Sequence, residues 1–453
     1  MENIIDLLGI LNGIAWGPYM LALIAGTGLY LMLGLKLFPI IKLPFGFRQL
    51  SKKSSSKDKG DIEPRSALAT ALSATVGTGN IAGVASAIAI GGPGAIFWMW
   101  IMGIVGMATK YAEAVLAVKY REKDKLGNYV GGPMYYIRNG LGENWKWLAF
   151  IFAFFGMIAA FGIGNMIQSN SVAAQIQNVA GIDPLVSGLI IALIASLVII
   201  GGIKRISKVA TKLVPFMALI YIVAALYIIF SNIGEIPSAI SLIVHSAFNG
   251  TEGVEAFGGA TVWAAIQYGV ARGVFSNEAG LGSAPIAHAA AKTNSPVAQG
   301  TIGMLGTFID TIVLCTMTAL VIVISGAWVD GSTSSVLSSN AFAIGLPSFG
   351  ELIITLSLIL FAFTTILGWS YYGERCSSYI FGEQAIKIYR VLWIIFIVLG
   401  AYTLNLTEDI MSNINILWLV ADTMNALMAV PNLIALLLLS PIVFKVTRDY
   451  FKK

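Results

Sequence analysis

The segment from Ser73 to Val84 has the residue types and spacing to bind a small polar molecule inside a membrane. It reads S-A-T-V-G-T-G-N-I-A-G-V and lies within an apolar run, residues 67–90, that is long enough to span a bilayer. Gly77 and Gly79 each weaken a helix by about 1 kcal/mol, and the polar side chains around them offer the backbone other hydrogen-bond partners. The pattern predicts a helix that is interrupted within the membrane.

An interruption at mid-membrane depth indicates a binding site. Unpaired backbone groups are costly in lipid, so a broken helix persists only where protein or a polar cavity surrounds it. The alternative is that the glycines only allow two helices to pack closely, as G-x-x-x-G faces do. Of these two interpretations we favour binding.

The composition is that of a polytopic membrane protein. Of the 453 residues, 57% are hydrophobic and 11% are charged, whereas soluble domains carry about 25% charged residues. Cys315 and Cys376 lie in or beside apolar segments, which indicates neither a disulfide framework nor a zinc site. The net charge of +5 comes from basic loops that meet anionic lipid heads, so no nucleic-acid partner is expected. No obligatory protein partner is evident either.

About eleven membrane spans are predicted, at roughly 20 apolar residues each. The N-terminus lacks a basic residue and precedes a long apolar run, which indicates a retained span and not a signal peptide. A non-basic segment, residues 231–253, is expected to lie partly along the surface. The approximate limits of the spans are 13–35, 67–90, 94–118, 148–179, 185–200, a sixth ending near residue 230, 254–291, 298–324, 350–381, 388–404 and 414–444.

The distribution of charge predicts the orientation. Every lysine and arginine except Lys110 and Arg272, which lie inside spans, falls on one side of this arrangement or at span ends that face it. The positive-inside rule therefore predicts a plasma-membrane protein with its N-terminus outside and its C-terminus in the cytoplasm. The opposite side carries acidic residues alone: Glu2, Asp6, Glu235, Glu252, Asp330, Glu408 and Asp409.

Two predicted spans are interrupted, the second and the seventh. The seventh carries Gly269 and Gly273, followed by F-S-N-E-A-G-L-G from Phe275 to Gly282. The two spans lie five apart, an odd number, so the second half is inverted relative to the first. Interrupted spans at matching positions of inverted halves are the best sequence indicator of a secondary transporter's binding site. The predicted units are an added N-terminal span with a basic loop (1–63), two five-helix repeats (64–232 and 233–444) and a cytoplasmic tail (445–453).

Three motifs carry a resemblance to a known family. The motif G-G-P-G-A-I-F-W-M-W, from Gly91 to Trp100, resembles the signature of the alanine or glycine:cation symporters, also called sodium:alanine symporters. The motifs G-G-P-M-Y-Y at 131–136 and F-S-N-E-A-G-L-G-S-A-P at 275–285 also fit, and the resemblance covers essentially the whole chain. It implies sodium-coupled uptake of alanine or glycine, with D-alanine as a further candidate, by the alternating-access mechanism.

The resemblance also implies a fold. The family is thought to share the all-α, five-plus-five inverted-repeat fold of the bacterial leucine transporter, here with one extra N-terminal helix. The segment from Ala74 to Asn80, A-T-V-G-T-G-N, is similar to N-A-V-G-L-G-N at the break of that protein's first core helix. It departs from that motif at Ala74, Thr75 and Thr78.

The interrupted helix offers complementary groups to an amino acid. The N–H groups of Thr78, Gly79 and Asn80 begin the second half-helix and can hold a carboxylate without a cationic side chain. Gly77 and Gly79 let a ligand approach the backbone closely. The carbonyls of Thr75 and of Gly273, in the other broken span, are expected to face the ammonium group.

Side chains from other spans complete the expected pocket. The fourth span carries a polar stripe at spacings of three and four, which places its members on one helical face: Asn165, Gln168, Ser171 or Val172, Gln175 and Asn178. Gln168 lies near mid-span and is expected to contact substrate. With Phe275, Thr365 and Trp369 it would bound a pocket that admits a methyl group and rejects an isobutyl group.

By resemblance to the leucine transporter, Thr364 and Thr365 of the ninth span occupy a sodium-binding pair. The carbonyls of Ser73, Val76 and Phe361 would complete that site. The residues alone leave a second interpretation open, since adjacent threonines in an apolar helix often bond only to the preceding turn.

Ionisable residues inside spans are functional candidates, although structural pairing is the expected role for most. Lys110 is expected to pair with Glu113, and Arg272 with Glu278 or Asp310. Asp422 and a structural His288 complete the set.

Other functions receive less support from the sequence. No H-E-x-x-H or G-x-S-x-G motif occurs, which disfavours an intramembrane enzyme. Two unlike broken helices fit transport better than a channel filter. Proton-coupled or exchange-type transport on the same fold remains the alternative to sodium coupling.

Overall fold

The computed structural model describes residues 2–251, 261–406 and 408–452, with side chains omitted for residues 2–5 and 408–418. The start of the predicted seventh span, with Glu252, lies outside the described residues. So do the side chains of Glu2, Glu408 and Asp409, on which part of the orientation argument rests.

The described chain is almost entirely helical, which confirms the predicted all-α class. One short antiparallel hairpin, β1 (Glu122–Lys123) and β2 (Tyr129–Val130), lies among the basic loops. The α-helices, in chain order, are α1 (Glu2–Ala15), α2 (Pro18–Gly34), α3 (Phe38–Ile41), α4 (Leu43–Leu50), α5 (Pro64–Thr75), α6 (Val84–Gly91), α7 (Ala95–Lys119), α8 (Pro133–Tyr136), α9 (Lys146–Ala159), α10 (Ile167–Ala180), α11 (Pro184–Ile199), α12 (Gly202–Ser231), α13 (Ile236–Asn249), α14 (Val262–Asn277), α15 (Ala284–Ala289), α16 (Pro296–Thr307), α17 (Thr316–Ser325), α18 (Ser334–Gly345), α19 (Gly350–Phe381), α20 (Ala385–Tyr402) and α21 (Glu408–Phe451).

Wider and tighter turns join some of these helices into longer rods. The π-helical turns are Gly79–Gly83, Ile137–Leu141, Ala160–Met166 and Phe308–Cys315. The 3₁₀ turns are Glu143–Trp145, Ile233–Glu235, Ala327–Asp330 and Thr403–Asn405.

Most predicted spans have a counterpart. In the described residues, eight helical stretches are long and apolar enough to cross a membrane, and the bent pair of α5 with Gly79–Gly91 makes a ninth. The predicted fifth span is the shorter apolar helix α11, and the predicted seventh corresponds to α14 and α15. The count of eleven and the inverted relation of the halves stay predictions.

The first interruption lies where the sequence predicts it. Helix α5 ends at Thr75 and the next turn begins at Gly79, with a bend of 55° between the two segments. The Asn80 side chain accepts the Gly77 N–H at 2.9 Å, so it replaces the main-chain carbonyl that a continuous helix would supply.

The second interruption lies within the motif at 275–285 of the predicted seventh span. Helix α14 runs unbroken through Gly269 and Gly273, and the break occupies residues 278–283, where Glu278 has a φ of +56°. The carbonyl of Gly273, which was expected to be free at this break, instead belongs to a continuous helix, because Gly269 and Gly273 serve close packing. A Cβ at Gly269 would lie 2.2 Å from the carbonyl oxygen of Ala95 in α7.

Two long helices support the breaks. Helix α7 is mostly buried and packs against α14, α15 and α16, while α19 packs against α5, α9, α10 and α12. A Cβ at Gly368 of α19 would lie 2.8 Å from the Ser73 hydroxyl, so α19 and the end of α5 are in close contact.

On the side of the basic loops, Arg121 ties several segments together. Its guanidinium donates hydrogen bonds to the carbonyls of Lys59, Ala289, Ala291 and Thr293. The loop before α5 adds main-chain bonds, since the amides of residues 61 and 62 both donate to the carbonyl of residue 290. The ends of the two broken helices on this side are therefore held together.

Candidate functional site

A cavity of about 380 Å³ reaches the first break from the side remote from the basic loops. The break contributes Thr78 and Gly79, and Phe275 of α14 stands opposite. These three predicted substrate-binding residues therefore line one cavity. Further polar lining residues come from α6, α10, α14 and α18: Ser86, Asn170, Ser171, Gln175, Arg272, Ser334 and Ser335.

The main chain at the break has unused hydrogen-bonding groups of both signs. Among the described residues, the N–H groups of Thr78 and Gly79 have no acceptor. In the same part of the chain, the carbonyls of Ser73, Thr75 and Val76 receive no main-chain hydrogen bond. The break thus presents donors to an anion and acceptors to a cation within one turn.

Asn80 lies beneath the cavity at the centre of a fully buried polar cluster. Its side-chain nitrogen lies 3.0 Å from the Ser276 hydroxyl and 2.8 Å from Oδ1 of Asp310. The Ser276 and Thr311 hydroxyls donate to the other carboxylate oxygen at 2.8 and 2.9 Å. The cluster joins the first break, the end of α14 and the π-helical turn of the eighth span.

No basic side chain forms an ion pair with Asp310 in the described residues. All of its hydrogen-bond donors are neutral amides or hydroxyls, although the carboxylate is completely buried. A buried carboxylate is costly unless its charge is compensated. A small cation, or a proton, would supply that compensation. The sequence signal for this residue was an ionisable side chain inside a span, and Ser276 carried no signal of its own.

The two threonines of the predicted sodium site both donate to the carbonyl of Phe361, at 2.9 Å for Thr364 and 3.0 Å for Thr365. This is the bonding to the preceding turn that the alternative interpretation expected. A hydroxyl that donates its proton still has lone pairs for a cation. Thr365 also faces the break, since a Cβ at Gly77 would lie 2.8 Å from its Oγ1.

Several predicted substrate-binding residues lie away from the cavity. Thr75 is buried and its hydroxyl bonds to the preceding turn of α5. Gly273 contacts Met99 and Met102 of α7 from inside α14, where its carbonyl belongs to a continuous helix.

Gln168 and Trp369 are buried behind the cavity. Gln168 donates to the carbonyl of Ile163, and its Oε1 has no hydrogen-bond partner in the described structure. The indole of Trp369 donates to Glu278 at 3.0 Å, so this residue steadies the second break and does not form the pocket wall.

The expected pairing of ionisable residues differs from the observed one. Neither Lys110 nor Arg272 forms an ion pair within the described residues, and the Nζ of Lys110 is buried without a partner. Glu113 instead accepts from the amide of Gly280 and the side chain of Asn432. His288 bonds to Gln299 at 2.8 Å, a structural contact.

Arg272 stands between two cavities. It lines the cavity at the first break and a second cavity of about 280 Å³. The second cavity is also lined by Asn12 of α1, by Trp16 just after α1, and by Asp422 of α21. Its guanidinium lies 5.8 Å from the ring centroid of Phe275. An unpaired cation beside the path to the break is suited to meet a carboxylate.

Comparison with known proteins gives a consistent assignment. The sodium:alanine symporter family matches residues 1–453. The sodium/alanine symporter AgcS of Methanococcus maripaludis is 48% identical over 99% of this chain and 97% of its own length. The probable sodium/glutamine symporter GlnT of Bacillus subtilis is 38% identical over 100% of this chain and 92% of its own length.

The fold agrees with leucine-transporter-type carriers. The crystal structure of MhsT in complex with L-phenylalanine aligns with a TM-score of 0.56 and 12% identity, over 86% of this chain and 98% of that one. At this identity the similarity concerns the fold alone. The family consists of cation-coupled amino-acid carriers embedded in the membrane, so the protein is a transporter and not an enzyme. The chain belongs to the sodium:alanine symporter family.

Proposed function

We propose that this protein imports alanine and glycine across the plasma membrane, driven by the inward movement of Na⁺, with its N-terminus outside and its C-terminus in the cytoplasm. The observation that carries the proposal is the pair of free amides at Thr78 and Gly79, which face the cavity at the first break. They suit a carboxylate, and the free carbonyls of the same break suit an ammonium group or Na⁺.

Two places are suited to the coupling ion. The first is the Asp310 carboxylate with its neutral donors, and the second is the carbonyl end of α5 beside Thr365. Both offer oxygen atoms, the ligands that a hard cation prefers. Both also touch the first break, through Asn80 and through Gly77, so ion and substrate would stabilise the same arrangement of the break.

We propose a small substrate because the motifs resemble those of alanine and glycine carriers and because a relative that is 48% identical is named a sodium/alanine symporter. The cavity of about 380 Å³ includes a wide approach lined by α10 and α18. The carboxylate would reach it past Arg272. The names of the two relatives, one for alanine and one for glutamine, make the choice of substrate the point to measure.

Uptake of labelled alanine into proteoliposomes tests the proposal. An inward Na⁺ gradient should drive accumulation, and a pH gradient without Na⁺ should not. Unlabelled glycine should compete, whereas glutamine and leucine should not at comparable concentration. Accumulation driven by a pH gradient alone would instead support proton coupling, for which Asp310 is the candidate carrier. Equal competition by glutamine would refute the small-substrate assignment.

A pair of variants tests the role of Arg272. Arg272→Gln should raise the alanine concentration needed for half-maximal uptake, because the approach loses its cation, while Arg272→Lys should largely preserve it. Equal behaviour of the two variants would show that charge at this position is not used.

A further inference from the structure

A cavity at the basic side of the membrane collects positive charge that the transport site does not use. It has a volume of about 450 Å³ and lies between the beginning of α5 and the first turns of α12. Helix α12 contributes Lys204, Lys208 and Lys212, and α5 contributes Arg65. None of these four cations forms an ion pair among the residues described.

The two acidic residues of this cavity also accept hydrogen bonds from outside it, and Asp61 lies within electrostatic range of Lys204. The Asp61 carboxylate accepts the amide of Tyr129 at 2.7 Å, and Glu63 accepts the hydroxyl of Ser54 at 2.9 Å. With four basic and two acidic residues, the lining keeps an excess of positive charge. The three lysines recur at every fourth position, where like charges on a helix repel one another. A bound anion would relieve that repulsion.

The cavity also contains small polar groups near the charges. Ser66 of α5, and Ser207 and Thr211 of α12, complete its lining. Hydroxyl groups and lysines together are suited to the oxygen atoms of a phosphate.

The same side of α12 changes from charged to apolar along its length. Beyond the lysines it presents Phe216, Leu219 and Val223, which are 56%, 60% and 57% exposed. At 100° per residue, all six side chains fall within one half of the helix surface. The lysines cover about 12 Å of the helix axis, and the exposed apolar stretch begins one turn later. This arrangement, with charged residues followed by apolar ones along the helix, matches a phospholipid whose headgroup lies at the lysines and whose acyl chain lies along the apolar residues.

We propose that this cavity binds the headgroup of an anionic phospholipid of the cytoplasmic leaflet, which bridges Arg65 of α5 and the three lysines of α12. Free inorganic phosphate shares the headgroup chemistry but lacks the acyl chain. Because α5 is the first half of the interrupted helix, the lipid would connect the bilayer directly to the break. The site is independent of the proposed substrate and ion, since it shares no residue with them.

Native mass spectrometry of the full chain in detergent tests this assignment. Phosphatidylglycerol and phosphatidylcholine with identical acyl chains are titrated against the unmodified protein and the variant K204Q/K208Q/K212Q. The unmodified protein should bind phosphatidylglycerol preferentially. The variant should lose affinity by about fivefold per lysine, or on the order of 100-fold in total. The control K52Q/K53Q/K57Q, which removes three charges from the neighbouring exposed loop, should bind like the unmodified protein.

A second substitution separates binding from folding. K204R/K208R/K212R retains the charge and should retain phosphatidylglycerol. Equal loss in the loop control, or unchanged binding in K204Q/K208Q/K212Q, would overturn the proposal. Inorganic phosphate should displace the lipid only weakly, and displacement at equal concentration would assign the site to free phosphate and refute the lipid. Transport is not the readout, so failure here is distinct from failure of the symport proposal.

Discussion

The side-chain nitrogen of Asn80 lies 2.8 Å from Oδ1 of Asp310, although the two residues are 230 positions apart in the chain. Asn80 also fixes the first break by accepting the amide of Gly77. One side chain therefore connects the shape of the broken helix to a buried carboxylate. Any cation that changes the charge at Asp310 would act on the break through this amide.

Replacing Asp310 by Asn should weaken the response to sodium. The variant keeps an oxygen for the Ser276 and Thr311 hydroxyls but removes the negative charge. Loss of one charged contact corresponds to about 1.5–3 kcal/mol, so the Na⁺ concentration for half-maximal alanine uptake should rise roughly 10- to 100-fold. Asp422→Asn, at the second cavity, serves as the control and should leave that value nearly unchanged. The same Na⁺ dependence in both variants would exclude Asp310 from ion binding.

The two threonines of α19 should differ in importance. Thr365 faces Gly77 at the break, whereas the Thr364 hydroxyl lies 3.6 Å from the sulfur of Met217. Thr365→Val should therefore raise the Na⁺ requirement more than Thr364→Val, with uptake measured over a range of Na⁺ concentrations. If neither substitution changes the Na⁺ dependence, both hydroxyls serve only the preceding turn.

Two glycines of the first break offer a matched comparison. A Cβ at Gly77 would approach Oγ1 of Thr365 to 2.8 Å, while a Cβ at Gly83 would have no atom within 4 Å. Gly77→Ala should reduce uptake and lower thermal stability, since overpacking costs about 1–3 kcal/mol. Gly83→Ala should keep the thermal stability of the unmodified protein. Equal tolerance at both positions would contradict the close approach of α19 to the break.

Labelling with a membrane-impermeant thiol reagent should report the orientation. Both native cysteines are buried, so the unmodified protein should react little. Ser335→Cys, in the cavity lining, should label from outside intact cells, and alanine with Na⁺ should slow the reaction. Ser56→Cys, in the exposed basic loop, should label only after the membrane is opened. Outside labelling at both positions would refute the orientation.

The sequence predicted the first break because its cause is local. Glycines weaken an apolar helix, and hydroxyl side chains compete for its backbone hydrogen bonds. Both residue types can be read from one short segment of the sequence. The motif after Phe275 marked the second break as well, but Gly269 and Gly273 were wrongly included in it, because a glycine looks identical in sequence whether it ends a helix or admits a neighbour. Only the contact of Gly269 with the carbonyl of Ala95 distinguishes the two uses.

The pocket walls could not be predicted because they depend on tertiary packing. Trp369 and Gln168 lie on faces that the π-helical turn Ala160–Met166 and the approach of α19 determine. A Cβ added at Gly164 would lie 2.2 Å from the Cβ of Trp369, so the glycine allows this turn and α19 to approach closely. The acidic residue in the eighth span was recognisable as unusual, but its partners Asn80 and Ser276 come from other helices.

The hydrogen bonds of Arg121 limit how often the carrier opens toward the basic loops. Opening toward the basic loops would break its four hydrogen bonds to main-chain carbonyls. At a net value of about 0.5–1.5 kcal/mol each, these bonds together favour the closed state of this end by about 2–6 kcal/mol. A carrier without cargo would then be open toward the basic loops in only a small fraction of molecules, between roughly 1 in 30 and 1 in 20,000. In the proposed Na⁺ symport, the Na⁺ gradient would thus be dissipated slowly when no amino acid is present.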